Sequence, residues 1–213
     1  MRSKGAIALL VVVLLVGFTG CAGCNTYNNL VAAEERVETA WADVETQYQR
    51  RADLIPNLVS TVRGAADFEQ ETLQAVTEAR AQATSVNLEV GDLSDPQRLQ
   101  QFQQAQQQLS GALGRLLAVS ENYPELRATE AFRDLQAQLE GTENRITVAR
   151  RDYNEAVRQY NTTVRQFPTV VVASLAGFDR RAAFEAEEGA EEAPEVDLGT
   201  ECVRRVPLRL PSA

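Results

Sequence analysis

The chain has 213 residues, 44% of them hydrophobic and 24% charged, a net charge of −9 and no histidine. That composition belongs to globular proteins rather than disordered, collagen-like or disulfide-dense ones, and the length suits one domain with extensions. An acidic chain without a basic stripe argues against nucleic acid as a partner, because phosphate neutralisation supplies most of that affinity. The lack of histidine removes the commonest general base and metal ligand, so no cofactor or metal site is expected.

Residues 1–4, "MRSK", are basic, residues 5–20 are apolar and uncharged, and "CAGC" follows at Cys21 to Cys24. A positive start, a short apolar stretch and small residues at its end have the pattern of a secretory signal. Sixteen apolar residues fall just short of the roughly 17–25 of a spanning helix. A cysteine after small residues points to a bacterial lipoprotein; the alternative is a retained signal anchor. "FTGC" favours Cys21 as the lipid carrier by local pattern, with Cys24 the competitor. The remaining cysteine, Cys202, stands alone, so no disulfide framework is indicated.

From Val37 the apolar positions run Val37, Trp41, Val44, Tyr48, Ile55, Val59, Val62, Ala66, Leu73 and Val76. Steps of three, four and seven mark a helix seam facing other helices. Pro56 lies inside it. Proline has no N–H for the carbonyl of Ala52 and its ring crowds that carbonyl. The expectation is either a kink or one-turn break near 53–56, or a new helix starting at Pro56 with Asp53 helping to cap it. The pattern fades at 84–97, where Asp95 before Pro96 reads as cap and first-turn proline. A glutamine-rich helix follows, striped by Leu99, Phe102, Leu109, Leu113 and Leu116. After "NYP" at 122–124 comes the longest seam, Phe132, Leu135, Leu139, Thr142, Ile146, Ala149, Tyr153, Ala156, Tyr160, Val164 and Phe167, closed by Pro168.

The fold class read from this is all-α: an elongated antiparallel helical bundle with a proline-interrupted first helix, preceded by an N-terminal signal or anchor segment. The chain divides into residues 1–23 (signal or anchor), 24–168 (bundle), 169–183 (an apolar strap, either short helix or extended) and 184–213 (an acidic tail expected to be mobile).

Several blocks resemble the LemA family: "YNNLV" at 27–31, "AW" at 40–41, "QYQRRADLIPNLVSTVRG" at 47–64, "TEARA" at 77–81, "TENRITVARRDYNEAVRQYN" at 142–161, "FP" at 167–168 and "GF" at 177–178. The resemblance implies a helical bundle held at a bacterial membrane by its N-terminus, and it does not imply an enzymatic activity. It also favours Cys24 for lipidation, because the modified cysteine of lipid-anchored members shortly precedes the "YN" pair. The tail after Leu198 departs from the family pattern.

Candidate contact residues cluster around the proline. Arg50, Arg51, Asp53, Pro56 and Asn57 would present a docking face on an exposed kink, with the arginine pair available for carboxylate or phosphate. The bland reading is surface ion pairs. Asn144, Asn154 and Asn161 lie beside the long seam as a candidate polar ladder between helices. The chain has no G-x-S-x-G, Walker A, G-x-G-x-x-G or H-E-x-x-H pattern. The expected function is therefore a membrane-anchored, non-catalytic binding or scaffold module whose partners are the membrane and other envelope proteins. The alternatives are a carboxylate-dependent cell-wall enzyme or an accessory subunit of one, and a plain structural spacer.

Overall fold

A computed structural model describes residues 2–64 and 68–185, with side chains from Gly23 onward. Six α-helices make up the described residues: α1 (Arg2–Arg63), α2 (Gln70–Ser85), α3 (Pro96–Ser120), α4 (Pro124–Ala128), α5 (Glu130–Arg165) and α6 (Thr169–Ala176). A 3-10 turn at Val90–Ser94 joins α2 to α3. Trp41 meets Tyr153 and Arg51 meets Glu143, so α5 runs antiparallel along α1. Ala52 meets Arg80, and Ala83 meets Gln106, which gives α2 and α3 the same alternation. The four long helices thus form an up-down-up-down bundle, as short connections dictate.

Local chemistry sets the helix ends. The Asp95 carboxylate accepts from the Gln97 N–H at 2.8 Å, with Pro96 in the first turn of α3. The Thr129 hydroxyl caps α5 by accepting from the Phe132 N–H at 3.4 Å. Gly177 closes α6 at φ 79°, and the N–H groups of Gly177 and Phe178 both donate to the Ala173 carbonyl at 3.0 Å. That left-handed cap is where glycine is least strained.

The expected interruption at Pro56 does not occur. α1 is one helix through Pro56 and ends near Gly64. The reading mistook the turn: Val62 and Leu73 both face the core although they belong to two helices. Their steps fall into phase by coincidence across the connection. Ala66 lies outside the described residues.

Two apolar clusters make the core. One gathers Leu30, Val37, Trp41, Phe102, Tyr153 and Phe184, and the other Ile55, Val62, Val76, Leu109, Leu116 and Phe132. On α1, Arg51 falls between Tyr48 of the first and Ile55 of the second; on α3, Gln106 falls between Phe102 and Leu109. A polar layer therefore divides the bundle.

The chain beyond α5 corrects two expectations. Phe167, read as the last seam residue, is 84% exposed, because α5 ends at Arg165 and Phe167 stands in the turn beyond it. The apolar strap is both helix and extended segment: α6, then residues 178–185 laid back along α5. Phe184, placed with the acidic tail, is buried in the first cluster, so the packed chain runs past that boundary. Residues 186–213 lie outside the described residues. Among the described residues no helix is long and apolar enough to cross a membrane. The signal-or-anchor expectation rests on side chains that, up to Ala22, lie outside the description.

Candidate functional site

Pro56 leaves the Ala52 carbonyl without its helical donor, and Ala52 is buried. A buried carbonyl without a partner costs about 1–3 kcal/mol. Arg80, from the "TEARA" block on α2, supplies the missing donor: its Nε–H reaches the Ala52 oxygen at 2.9 Å. The proline is thus tolerated inside a continuous helix by a neighbouring helix that fills the gap in its ladder.

One residue earlier, Arg51 turns inward. It is 2% exposed. Its Nη1 donates to the Ser110 hydroxyl at 2.8 Å and to Glu143 at 2.9 Å, and its Nη2 to the Gln106 side-chain and main-chain oxygens at 2.6 and 3.2 Å. The Gln106 amide passes the link on to the Ala83 carbonyl at 3.3 Å. One guanidinium therefore ties α1 to α3 and α5, and through Gln106 to α2. The Tyr48 ring packs against it at 5.1 Å. A groove of about 550 Å³ opens beside the layer, lined by Tyr48, Gln103, Gln107, Arg150 and Glu185 among others.

The expectation of an exposed arginine pair is thereby corrected for Arg51. In a continuous helix, adjacent residues point about 100° apart, and here Arg51 falls on the core side with Tyr48 and Ile55 while Arg50 faces solvent. Arg50, Asp53, Pro56 and Asn57 are exposed. Arg50, Asp53 and Asn57 are spaced to share a face of α1. The Asp53 carboxylate accepts from Gln49 at 2.9 Å rather than pairing with Arg50.

The asparagines divide likewise. Asn154 and Asn161 do not bridge helices. The Asn161 side chain donates to the Arg181 carbonyl at 2.8 Å and accepts from its N–H at 2.9 Å. Asn154 does the same for Phe184, at 3.1 and 2.9 Å. Each carboxamide thus stands in for a strand partner along the extended segment. Tyr153 and Tyr160 add hydroxyl bonds of 2.9 Å to the carbonyls of Ala182 and Asp179. Burial pushes the Tyr160 phenol up to about 12 and the Tyr153 phenol further, so both remain neutral donors. Asn144 is not part of this ladder; it is exposed and lines a shallow α1–α5 groove of about 360 Å³ with Asp43, Gln47 and Asp152. Cys24 is a free, exposed thiol, while the Cys21 side chain lies outside the described ones.

Sequence reasoning missed Arg80, Gln106 and Arg181. Arg181 donates to the Ser94 hydroxyl and, at 2.6 Å, to Glu34, locking the segment to α1 and to the 3-10 turn. The Ala182 N–H adds a bond of 2.7 Å to the Leu93 carbonyl. For Arg80 there was a signal: a seam proline predicts one orphaned carbonyl four residues back, hence a donor on the facing helix.

The sequence that carries these features matches a known family. The LemA family model matches residues 40–198. The chain belongs to the LemA family. The match takes in the Pro56 block, Arg80, the Asn154 and Asn161 ladder and the segment they hold. Among relatives, Magnetosome protein MamQ 2 and Magnetosome protein MamQ 1 of Paramagnetospirillum magneticum are each 26% identical over 178 residues, 75% of this chain. The chain spans only 64% of their length. Protein LemA of Metamycoplasma hominis is 23% identical over 180 residues, covering 84% of this chain and 78% of its own.

Proposed function

We propose that this LemA-family chain is a non-catalytic, membrane-tethered protein of the bacterial envelope whose helical head binds other envelope proteins. One observation carries the reading: α1 is a single helix from Arg2 to Arg63, so the tethered end, Cys24 or the apolar stretch at 5–20, and the bundle share one rod. Such a rod passes position and orientation from the membrane to the head without a hinge. The tether is a lipid on Cys24, which is exposed ahead of the packed part of α1, or the apolar helix itself.

The docking face on this reading is Arg50, Asp53, Pro56 and Asn57, without Arg51. The arginine and carboxylate chemistry of the head supports a scaffold role. Arg51, Arg80 and Arg181 are spent on holding helices and strap together, and Glu155 is held by Arg158 and Gln159. The names of the relatives carry no reaction. Two experiments test the reading. A palmitate analogue should label the chain, and labelling should be lost in Cys24→Ala; labelling that persists in both Cys24→Ala and Cys21→Ala refutes the lipid tether. Photocrosslinkers at Asn57 and at Gln138, both exposed, should capture different partners in the envelope. Identical products from the two positions count against a defined docking face.

A further inference from the structure

The largest exposed apolar side chains of the described bundle gather at one end. Leu175 is 85% exposed, Phe167 84% and Val171 52%, with Val170 beside them. Val171 and Leu175 are four apart on α6 and share one face, and Phe167 stands in the turn just ahead of that helix as a further exposed ring, so the three make one apolar edge. The opposite side of α6 is not free: Ala173 is buried and Val172 packs on the first core cluster. α6 is therefore anchored by one side while its other side points away from the protein. Isolated exposed leucines need no explanation, but a contiguous apolar ridge marks a contact surface.

What covers it follows from where it sits. α6 begins beyond the C-terminus of α5, and Phe178, just past its end, meets the Tyr27 ring at 5.6 Å. Tyr27 is 46% exposed and Val31, one turn on, is also exposed. This is the end of the bundle toward which residues 2–22 of α1 lead. Cys24 lies three residues before Tyr27, about 5 Å along a helix axis. Either form of tether, lipid or apolar helix, therefore brings the bilayer to this end. The exposed charges there include Arg165, Asp179 and Arg180, of which the two arginines suit lipid phosphates. Tyrosine at such a level matches the aromatic preference for membrane interfaces.

We infer that the Phe167–Leu175 ridge is a second, peripheral contact with the bilayer: its apolar side chains enter the boundary between headgroups and acyl chains. The contact rests on the tethered reading above and deepens it. A tether alone leaves the head free to tilt about one point, whereas a ridge beside the tether fixes the tilt and therefore which face the head offers to partners. The opposite end, around Glu121, is held away from the membrane.

The test uses the full chain in vesicles of phosphatidylethanolamine and phosphatidylglycerol whose acyl chains are brominated near the headgroup. Three variants each add one indole: Leu175→Trp, Phe167→Trp and, as the distant control, Glu121→Trp. All three positions are exposed, so folding is unaffected, and Trp41, buried in the core, is a common background. Flotation is measured first. Flotation together with several-fold stronger quenching of Leu175→Trp and Phe167→Trp than of Glu121→Trp is the expected result. Flotation with equal quenching at all three positions overturns the ridge contact and leaves the tether standing. Absence of flotation overturns the tether, and the ridge contact falls with it. A blue-shifted emission of Leu175→Trp that grows with protein concentration in the absence of vesicles assigns the ridge to a second copy of the chain, which also overturns the proposal.

Discussion

Replacing Pro56 tests the account of α1 most sharply, because it predicts a coupling as well as a loss. Proline in a helix interior costs about 3 kcal/mol relative to alanine, from the missing N–H and from the ring against the carbonyl four residues back. Here the Arg80 Nε–H at 2.9 Å from the Ala52 oxygen makes good the missing bond, so what remains is chiefly steric. Pro56→Ala should therefore stabilise the bundle by about 1–2 kcal/mol, less than the full proline cost. Arg80→Met in the natural background leaves the buried Ala52 carbonyl unpaired, at about 1–3 kcal/mol. Combined with Pro56→Ala, the same change removes only a redundant donor, because the new N–H at position 56 takes its place, and the loss should shrink to about 0.5 kcal/mol. The cycle thus carries a coupling of roughly 1–2 kcal/mol between residues 56 and 80, well above the scatter of independent sites. Urea unfolding of the four proteins in detergent, followed by far-ultraviolet circular dichroism, measures it. Additivity of the two changes within about 0.5 kcal/mol would falsify the substitution of one donor by the other.

The polar layer and the strap give three further expectations. Arg51→Ala should destabilise by about 2–4 kcal/mol through the lost bonds to buried Gln106 acceptors. The half-exposed Glu143 adds little since water takes it back, and Arg50→Ala should stay within about 0.5 kcal/mol of the natural chain; equal urea midpoints for the two variants refute the layer. Asn161→Ala removes both bonds to Arg181, and amide exchange at Arg181, Ala182 and Phe184 should rise while exchange in the middle of α3 stays unchanged. Tyr160 has a folded pKa of about 12 against an ordinary 10.0, chiefly from burial. The neutral phenol's contribution is complete below pH 10 and is lost as the pH rises through about 12. Strap release in that window should change the emission of Trp41, on which Phe184 stacks, and Tyr160→Phe should flatten the change.

The apolar rows were legible because burial follows helical period directly. Val37, Trp41, Val44, Tyr48, Leu99, Phe102, Phe132, Ile146, Tyr153 and Tyr160 are all buried as their spacing implies. Asp95 and Pro96 marked a helix start because their capping is local chemistry. What period could not show was the partner of each polar group. Arg51 and Arg50 are adjacent and identical in type, and only the helix phase from Tyr48 to Ile55 decides which one turns inward. Asn154 and Asn161 showed their shared face but not their target, because the strap they hold is far along the chain and has no period of its own. The break between α1 and α2 was hidden by apolar residues that stay in step on both sides of it.

A buried arginine and a helix-interior proline are both expensive, and a bundle of greasy seams could be built without either. Antiparallel helices with near-uniform apolar stripes can slide by a turn at small cost in burial, and α3, with its run of glutamines, has little else to fix its position. The Arg51 fork accepts only one alignment of Ser110, Gln106 and Glu143, and a buried charge left unpaired by a slip costs several kcal/mol. The Arg80 link to the Ala52 carbonyl pins α2 against α1 one residue along from that fork. Together they set the register of all four long helices within one layer, midway between two apolar clusters that cannot set it themselves. On the solvent side of the same turn stand Arg50, Asp53 and Asn57, and at the far end of the same helix lies the proposed tether. Fixing the register there holds a surface patch at a defined height and angle on α1, which a binding head on the proposed tethered rod requires and a spacer does not.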